Sequence, residues 1–151
     1  MSVTIEKRIL EFLPYQRPFL FVDGFERIDE DGAEGHYRFR EDEFFYPGHF
    51  PDRPVTPGVI LIETMAQIGL VGLGIFLTQS HITPRPRTFA FTESNVSFLR
   101  PVFPGQQIRV RSEKVYFRLS KLKCQVEMID EAGEQITRGT LSGVLLPDSS
   151  S

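Results

Sequence analysis

The stretch from Pro57 to Leu77, PGVILIETMAQIGLVGLGIFL, is apolar on almost every side of a helical wheel and is broken by Glu63 and Gln67. Its length alone suits a bilayer, which needs about 20 apolar residues. Two polar side chains inside it, no basic flank behind it and polar strand patterns on both sides argue against a membrane span. A helix apolar on nearly every face must instead be wrapped by protein. The expected architecture is therefore α+β, a curled antiparallel sheet around one long central helix, with part of the wrapping open to a second copy of the chain.

The flanking segments supply that sheet. Residues 4–13 (TIEKRILEFL) place Ile5, Ile9, Leu10 and Leu13 at helical spacing, and Pro14 ends the short helix. FLFVDGFERI (19–28) and EGHYRFR (34–40) flank a polar DEDG turn and predict a hairpin. Residues 41–56 connect irregularly through Pro47, Gly48, Pro51 and Pro54. Strands are expected at 88–99, 107–119, 121–131 and 134–146. In the third of these, Leu122, Cys124, Val126 and Met128 alternate with polar neighbours, as a half-buried strand requires. Short connections after Pro104 make these strands antiparallel neighbours. One domain is expected over 1–146, with PDSSS (147–151) as a flexible tail.

With 40% hydrophobic and 25% charged residues and a formal net charge of -3, the chain lacks the basic footprint of a nucleic-acid binder. Its single cysteine, Cys124, excludes an intramolecular disulfide and leaves no CxxC pair for zinc. Strand alternation makes Cys124 a core residue rather than a nucleophile. The start, MSVTIEKRILEFLPYQ, has no apolar signal core, so a cytoplasmic protein is expected. Fourteen phenylalanines and no tryptophan fill core volume or line a tunnel for an acyl chain.

An ionised carboxylate within an apolar helix is costly, so Glu63 is neutral, paired, or exposed in a cavity. A carboxyl kept protonated by apolar surroundings can act as a general acid; the alternative is a purely structural buried polar network. Gln67, one turn along the same face, can orient it by a hydrogen bond. His49 lies in the Pro/Gly-bounded loop just before the helix, where it can be held without being covered. His36 and His81 read as structural or exposed. Thr56 suits a helix cap, Pro57 the first helical position, and Gly58 leaves a free N–H with no side chain in the way of a ligand oxygen. Base, acid and oxyanion donor together match proton removal beside a thioester carbonyl with loss of a hydroxyl from the next carbon.

GHFPDRPVTPGVILIETMAQ, Gly48 to Gln67, resembles the pattern GHFPxxPVxPGVxxIExxAQ of the bacterial 3-hydroxyacyl-acyl-carrier-protein dehydratases, a hotdog-fold family. LPYQRPFLFVD (13–23) and SFLRPVFPGQQI (97–108) extend the likeness over nearly the whole domain. The resemblance implies that His49 and Glu63 form the catalytic pair, completed across a homodimer, and that Gly58 polarises the thioester carbonyl. It implies assembly into dimers, or trimers of dimers, and an acyl tunnel with Phe50 as a wall candidate. Glu63 in place of aspartate looks like the branch that dehydrates without isomerising. This chain departs from the pattern at Thr56, where methionine is common, at Asp52 for glycine, at Leu99 for a second arginine, and at Tyr15-Gln16-Arg17 for His-Arg-Tyr.

The implied partner is acyl carrier protein bearing a 3-hydroxyacyl chain. Carrier proteins are acidic, so a basic docking patch is expected from Arg100, Arg109, Arg111, Lys121 and Lys123, unless these are only a solvated strand face. The expected reaction is dehydration to the trans-2-enoyl thioester without metal or other cofactor, in fatty-acid synthesis or a related route to lipid A or polyene chains. The competing readings are a hotdog-fold acyl thioesterase and a non-catalytic acyl-binding module.

Overall fold

The structure, a computed structural model, describes residues 4–78 and 89–146. His81 and the tail 147–151 lie outside the described residues. The first helix, α1 (Ile5–Phe12), is capped by Thr4, whose hydroxyl accepts from the Lys7 N–H. The expected hairpin forms from β1 (Gly24–Ile28) and β2 (Gly32–Arg38). Residues 19–22, expected to begin β1, stay outside the sheet ladder; the Phe19 and Phe21 backbone is bonded to the Gln67 side chain instead.

The central helix runs from Gly58 to Thr78. It consists of α2 (Gly58–Met65), a π-helical stretch (Ala66–Val71) and α3 (Gly72–Thr78). The sheet is completed by β3 (Phe89–Phe98), β4 (Gln107–Arg118), β5 (Lys121–Asp130) and β6 (Gln135–Leu145). All pairings are antiparallel, in the order β1-β2-β4-β5-β6-β3. Consecutive strands β4, β5 and β6 are neighbours as the short loops predict, whereas β3 reaches past them to pair with β6.

Alternation decides which face of the sheet meets the helix. Ile108, Val110 and Ser112 of β4 and Leu122, Cys124, Val126 and Met128 of β5 are buried, while Arg109, Arg111 and Glu113 face solvent. On the helix, Met65, Ile68, Leu70, Leu73 and Ile75 are all essentially inaccessible. Burying each such side chain contributes about 1.5–3 kcal/mol relative to exposure. Gly74 lets the Phe89 ring lie where a β-carbon would stand, 2.2 Å from that position, so the far end of the helix meets β3 closely. The apolar length that resembled a membrane span is thus largely spent inside the domain. Cys124 is fully buried, and burial pushes its thiol up to about 12, which leaves it inert as a nucleophile.

What one chain leaves uncovered is the helix start and the strand beside it. Val59 is 72% exposed, and β3 is an edge strand with Phe91 and Phe98 exposed by 43% and 50%. A ten-residue edge with apolar side chains is a template for pairing with another chain.

Candidate active site

The loop before the central helix folds on itself. Tyr46–Gly48 forms a 3-10 turn, and the His49 N–H closes it on the Tyr46 carbonyl at 3.1 Å. The Val55 N–H returns to the His49 carbonyl at 3.0 Å, and Phe50 and Arg53 exchange backbone bonds at 3.2 and 3.1 Å between them. The peptide joining His49 to Phe50 is cis. His49 Nδ1 lies 2.9 Å from the Val55 carbonyl oxygen. A carbonyl only accepts, so Nδ1 carries the hydrogen, and in the neutral imidazole it is Nε2 that has the lone pair. The Phe50 ring stacks on the imidazole at 4.2 Å between centroids.

At the helix start, Pro57 is the N-cap and makes no side-chain capping bond, so the helix begins at Gly58. This corrects the expectation that Thr56 caps the helix and Pro57 is its first residue. The Thr56 hydroxyl is taken instead by the Tyr46 hydroxyl, at 2.7 Å. The Pro57 carbonyl receives both Ile60 and Leu61 N–H groups, at 2.9 and 3.1 Å, while the Gly58 N–H has no acceptor among the described residues. That free N–H sits at the positive end of the helix dipole, suited to an oxygen gaining negative charge. A β-carbon at Gly58 would stand 3.1 Å from the Phe98 ring, so a side chain there would press the ring outward by a few tenths of an ångström.

Glu63 is half-buried, and its burial raises the carboxyl above the ordinary carboxylate value; a bond from Gln67 acts in the opposite sense. Gln67 itself is inaccessible. Its Nε2 donates to Glu63 Oε2 and to the Phe19 carbonyl, both at 3.0 Å, and its Oε1 accepts from the Phe21 N–H at 2.8 Å. The expected Gln67–Glu63 contact is therefore present. Tyr15 lies in the field of Glu63: burial, and then that charge, push its phenol well above the usual range, so it stays protonated. Sequence reasoning registered Tyr15 only as a departure from a motif.

His49 and Glu63 share no hydrogen bond within the chain among the described residues. The five expected docking cations do not gather either. Arg100 pairs with Glu134 at 3.2 Å and Arg111 with Glu127 at 2.5 Å. Arg109 lies opposite Ile129 near one end of β4 and Lys121 opposite Arg118 at the other. At about 3.4 Å per residue, that places them roughly 30 Å apart. Lys123 is half-buried near the Lys121 end. His36 pairs with Glu26, a surface contact in keeping with the structural reading.

At the entry to the loop that carries His49, where the Tyr46 N–H meets the Glu43 carbonyl, lies a polar cluster that the sequence did not announce. The Tyr37 hydroxyl donates to the buried Glu43 carboxylate at 2.5 Å, and the Arg40 N–H donates to the same oxygen at 3.0 Å. Arg40 in turn grips Asp23 through both terminal nitrogens, at 2.9 and 3.2 Å.

An antiparallel sheet curled round a single helix, with an imidazole-bearing loop at that helix's start, defines a hotdog-fold protein. Residues 13–130 match the FabA-like domain family. The chain is 36% identical to the 3-hydroxyacyl-acyl-carrier-protein dehydratase FabZ of Geotalea uraniireducens, over 73% of this chain and 75% of that one. It is 35% identical to the FabZ of Caldicellulosiruptor bescii, over 89% and 93%. The chain belongs to the FabA-like family, among relatives named as FabZ dehydratases. Its fold is similar to the dehydratase heterocomplex ApeI:P of Xenorhabdus doucetiae, with a TM-score of 0.76 and 14% identity over 94% and 92% of the two chains. At that identity the likeness concerns the fold alone.

Proposed function

We propose that this protein is a hydro-lyase that converts (3R)-3-hydroxyacyl-acyl carrier protein to the trans-2-enoyl thioester. The observation that carries the mechanism is the His49 imidazole, pinned through Nδ1 to Val55 with Nε2 free, at the start of a helix that bears the half-buried Glu63. His49 Nε2 removes a proton from the carbon next to the thioester carbonyl. The electron pair moves toward the carbonyl oxygen, which the Gly58 N–H holds. Glu63 gives its proton to the hydroxyl on the next carbon, the carbon–oxygen bond breaks, and water leaves as the double bond forms. The proton gained by His49 and the one lost by Glu63 balance over the cycle, so the step needs no oxidant or reductant.

His49 of one copy and Glu63 of another form each site, in a dimer joined along β3. Two features support this: no bond joins the two residues within one chain among the described residues, and the β3 edge and Val59 at the helix start are uncovered. Gln67 orients the acid and Phe50 borders the acyl chain, in a homodimer or a trimer of dimers. The domain, spanning 1–146, works in the cytoplasm on fatty-acid or related acyl chains. Arg100, Arg109, Arg111, Lys121 and Lys123 are the candidate cations for carrier-protein docking, as separate contacts rather than one patch.

The deciding experiment incubates purified protein with 3-hydroxyacyl-acyl carrier protein and follows product mass. Loss of one water is expected, and His49→Ala and Glu63→Gln should each abolish it with the oligomer intact. Release of free carrier thiol would mean hydrolysis, and near-normal turnover by either variant would remove the assignment.

A further inference from the structure

Tyr46 and Thr56 are both nearly inaccessible, and their hydroxyls meet at 2.7 Å. Tyr46 opens the 3-10 turn that ends at His49, and Thr56 stands between Val55, which grips the imidazole, and the Pro57–Gly58 helix start. The hydroxyl bond therefore spans the two ends of the loop that carries the base and leads into the oxyanion donor.

Each end is also anchored outside the loop. The Tyr46 N–H donates to the Glu43 carbonyl at 3.2 Å, and the Glu43 carboxylate is held by Tyr37 and the Arg40 N–H. Thr56 donates its N–H to the Val102 carbonyl at 2.8 Å, in the connection between β3 and β4. Held by Val102 on its backbone and by Tyr46 on its side chain, the Thr56 residue has little freedom to turn. The Val55 carbonyl before it and the Gly58 N–H after it are set together. Burial pushes the Tyr46 phenol up to about 12, so both partners stay neutral hydroxyls and the bond persists across the working pH range.

We propose that Tyr46 and Thr56 are a positioning pair, which fixes the His49 imidazole and the Gly58 N–H at one mutual distance. The proposal rests on the roles assigned to His49 and Gly58 above. Neither hydroxyl touches the reacting atoms; the pair acts through the Val55 carbonyl and the helix start.

Thr56→Val and Tyr46→Phe each remove one hydroxyl and leave the other buried without its partner, whereas the double variant leaves none. If the bond serves only the fold, the double variant regains thermal stability and wild-type turnover together. The positioning role predicts that it regains stability while kcat stays about 10- to 100-fold low and KM moves by less than about twofold, the pattern expected of slight misplacement of reacting groups. Thr56→Ser, which keeps the hydroxyl, should retain kcat close to wild type. Wild-type kcat in a stable double variant, or a loss confined to KM, overturns the pair. An active His49→Ala would instead overturn the dehydration mechanism; an inactive His49→Ala beside a fully active double variant removes the positioning pair alone.

Discussion

Gln67 donates to Glu63 across one helical turn at 3.0 Å, while the rest of its amide is bonded to the backbone of Phe19 and Phe21. The amide cannot flip, because its oxygen faces an N–H and its nitrogen faces two oxygens. The carboxyl therefore rests against a donor whose position is set by the segment leading into β1.

Gln67→Leu should destabilise the fold by about 1–3 kcal/mol, because it orphans the buried Phe21 N–H and frees the part-buried Phe19 carbonyl. Urea denaturation with an unchanged m-value would measure this. A loss below about 0.5 kcal/mol would mean that these backbone groups do not depend on the amide.

Stability should carry a pH signature of Glu63. Its carboxyl is raised above the ordinary 4.5 by burial, so the folded state retains a proton that the unfolded chain releases. That contribution is fully present below 4.5 and is lost as pH rises through the higher folded value. Thermal melts of wild type and Glu63→Gln across this window should show wild type losing ground as pH rises; a constant difference would contradict the raised carboxyl. Loss of the Gln67 bond, which favours the charged form, should move the alkaline limb of wild-type kcat/KM to higher pH in Gln67→Leu.

Gly58→Ala sets a methyl group 3.1 Å from the Phe98 ring, which is half-exposed and free to swing outward. Stability should change by less than about 1 kcal/mol, as for surface substitutions in general, while turnover falls. Adding Phe98→Ala tells the two causes apart: recovery of kcat would trace the loss to the displaced ring, and continued loss to obstruction of the Gly58 N–H.

Mixing His49→Ala with Glu63→Gln should restore part of the activity, because exchange of subunits assembles some sites with both groups intact. Phe91→Asp, which puts a charge on the β3 edge, should shift sedimentation toward the monomer and abolish turnover. Full activity in a monomeric Phe91→Asp protein would place both groups of the site within one chain.

The helix and the strands were legible because their periodicities are strong: the run from Pro57 to Leu77 can only be enclosed, and Leu122, Cys124, Val126 and Met128 can only face inward together. What escaped depended on side chains meeting across the fold. FLFVD reads as strand, yet Gln67, 46 residues beyond Phe21, captures the Phe21 backbone. Thr56 has the chemistry of a helix cap, yet its hydroxyl is claimed by Tyr46. The π-helical stretch Ala66–Val71 has no periodic signature of its own. The residue types at His49 and Glu63 were legible; the Nδ1 bond that leaves Nε2 free was not, because it depends on a loop carbonyl.

The strand order has a consequence for synthesis. Among the described residues β3 pairs only with β6, so Phe89 must find Leu145 far along in later sequence. Closing so long a loop is slow compared with zipping the hairpins β4-β5 and β5-β6. During translation β3 must wait, with Phe91 and Phe98 uncovered, until β6 has left the ribosome. The edge offered to a second copy thus takes its register only after β6, the last strand to be made, is available to pair with it.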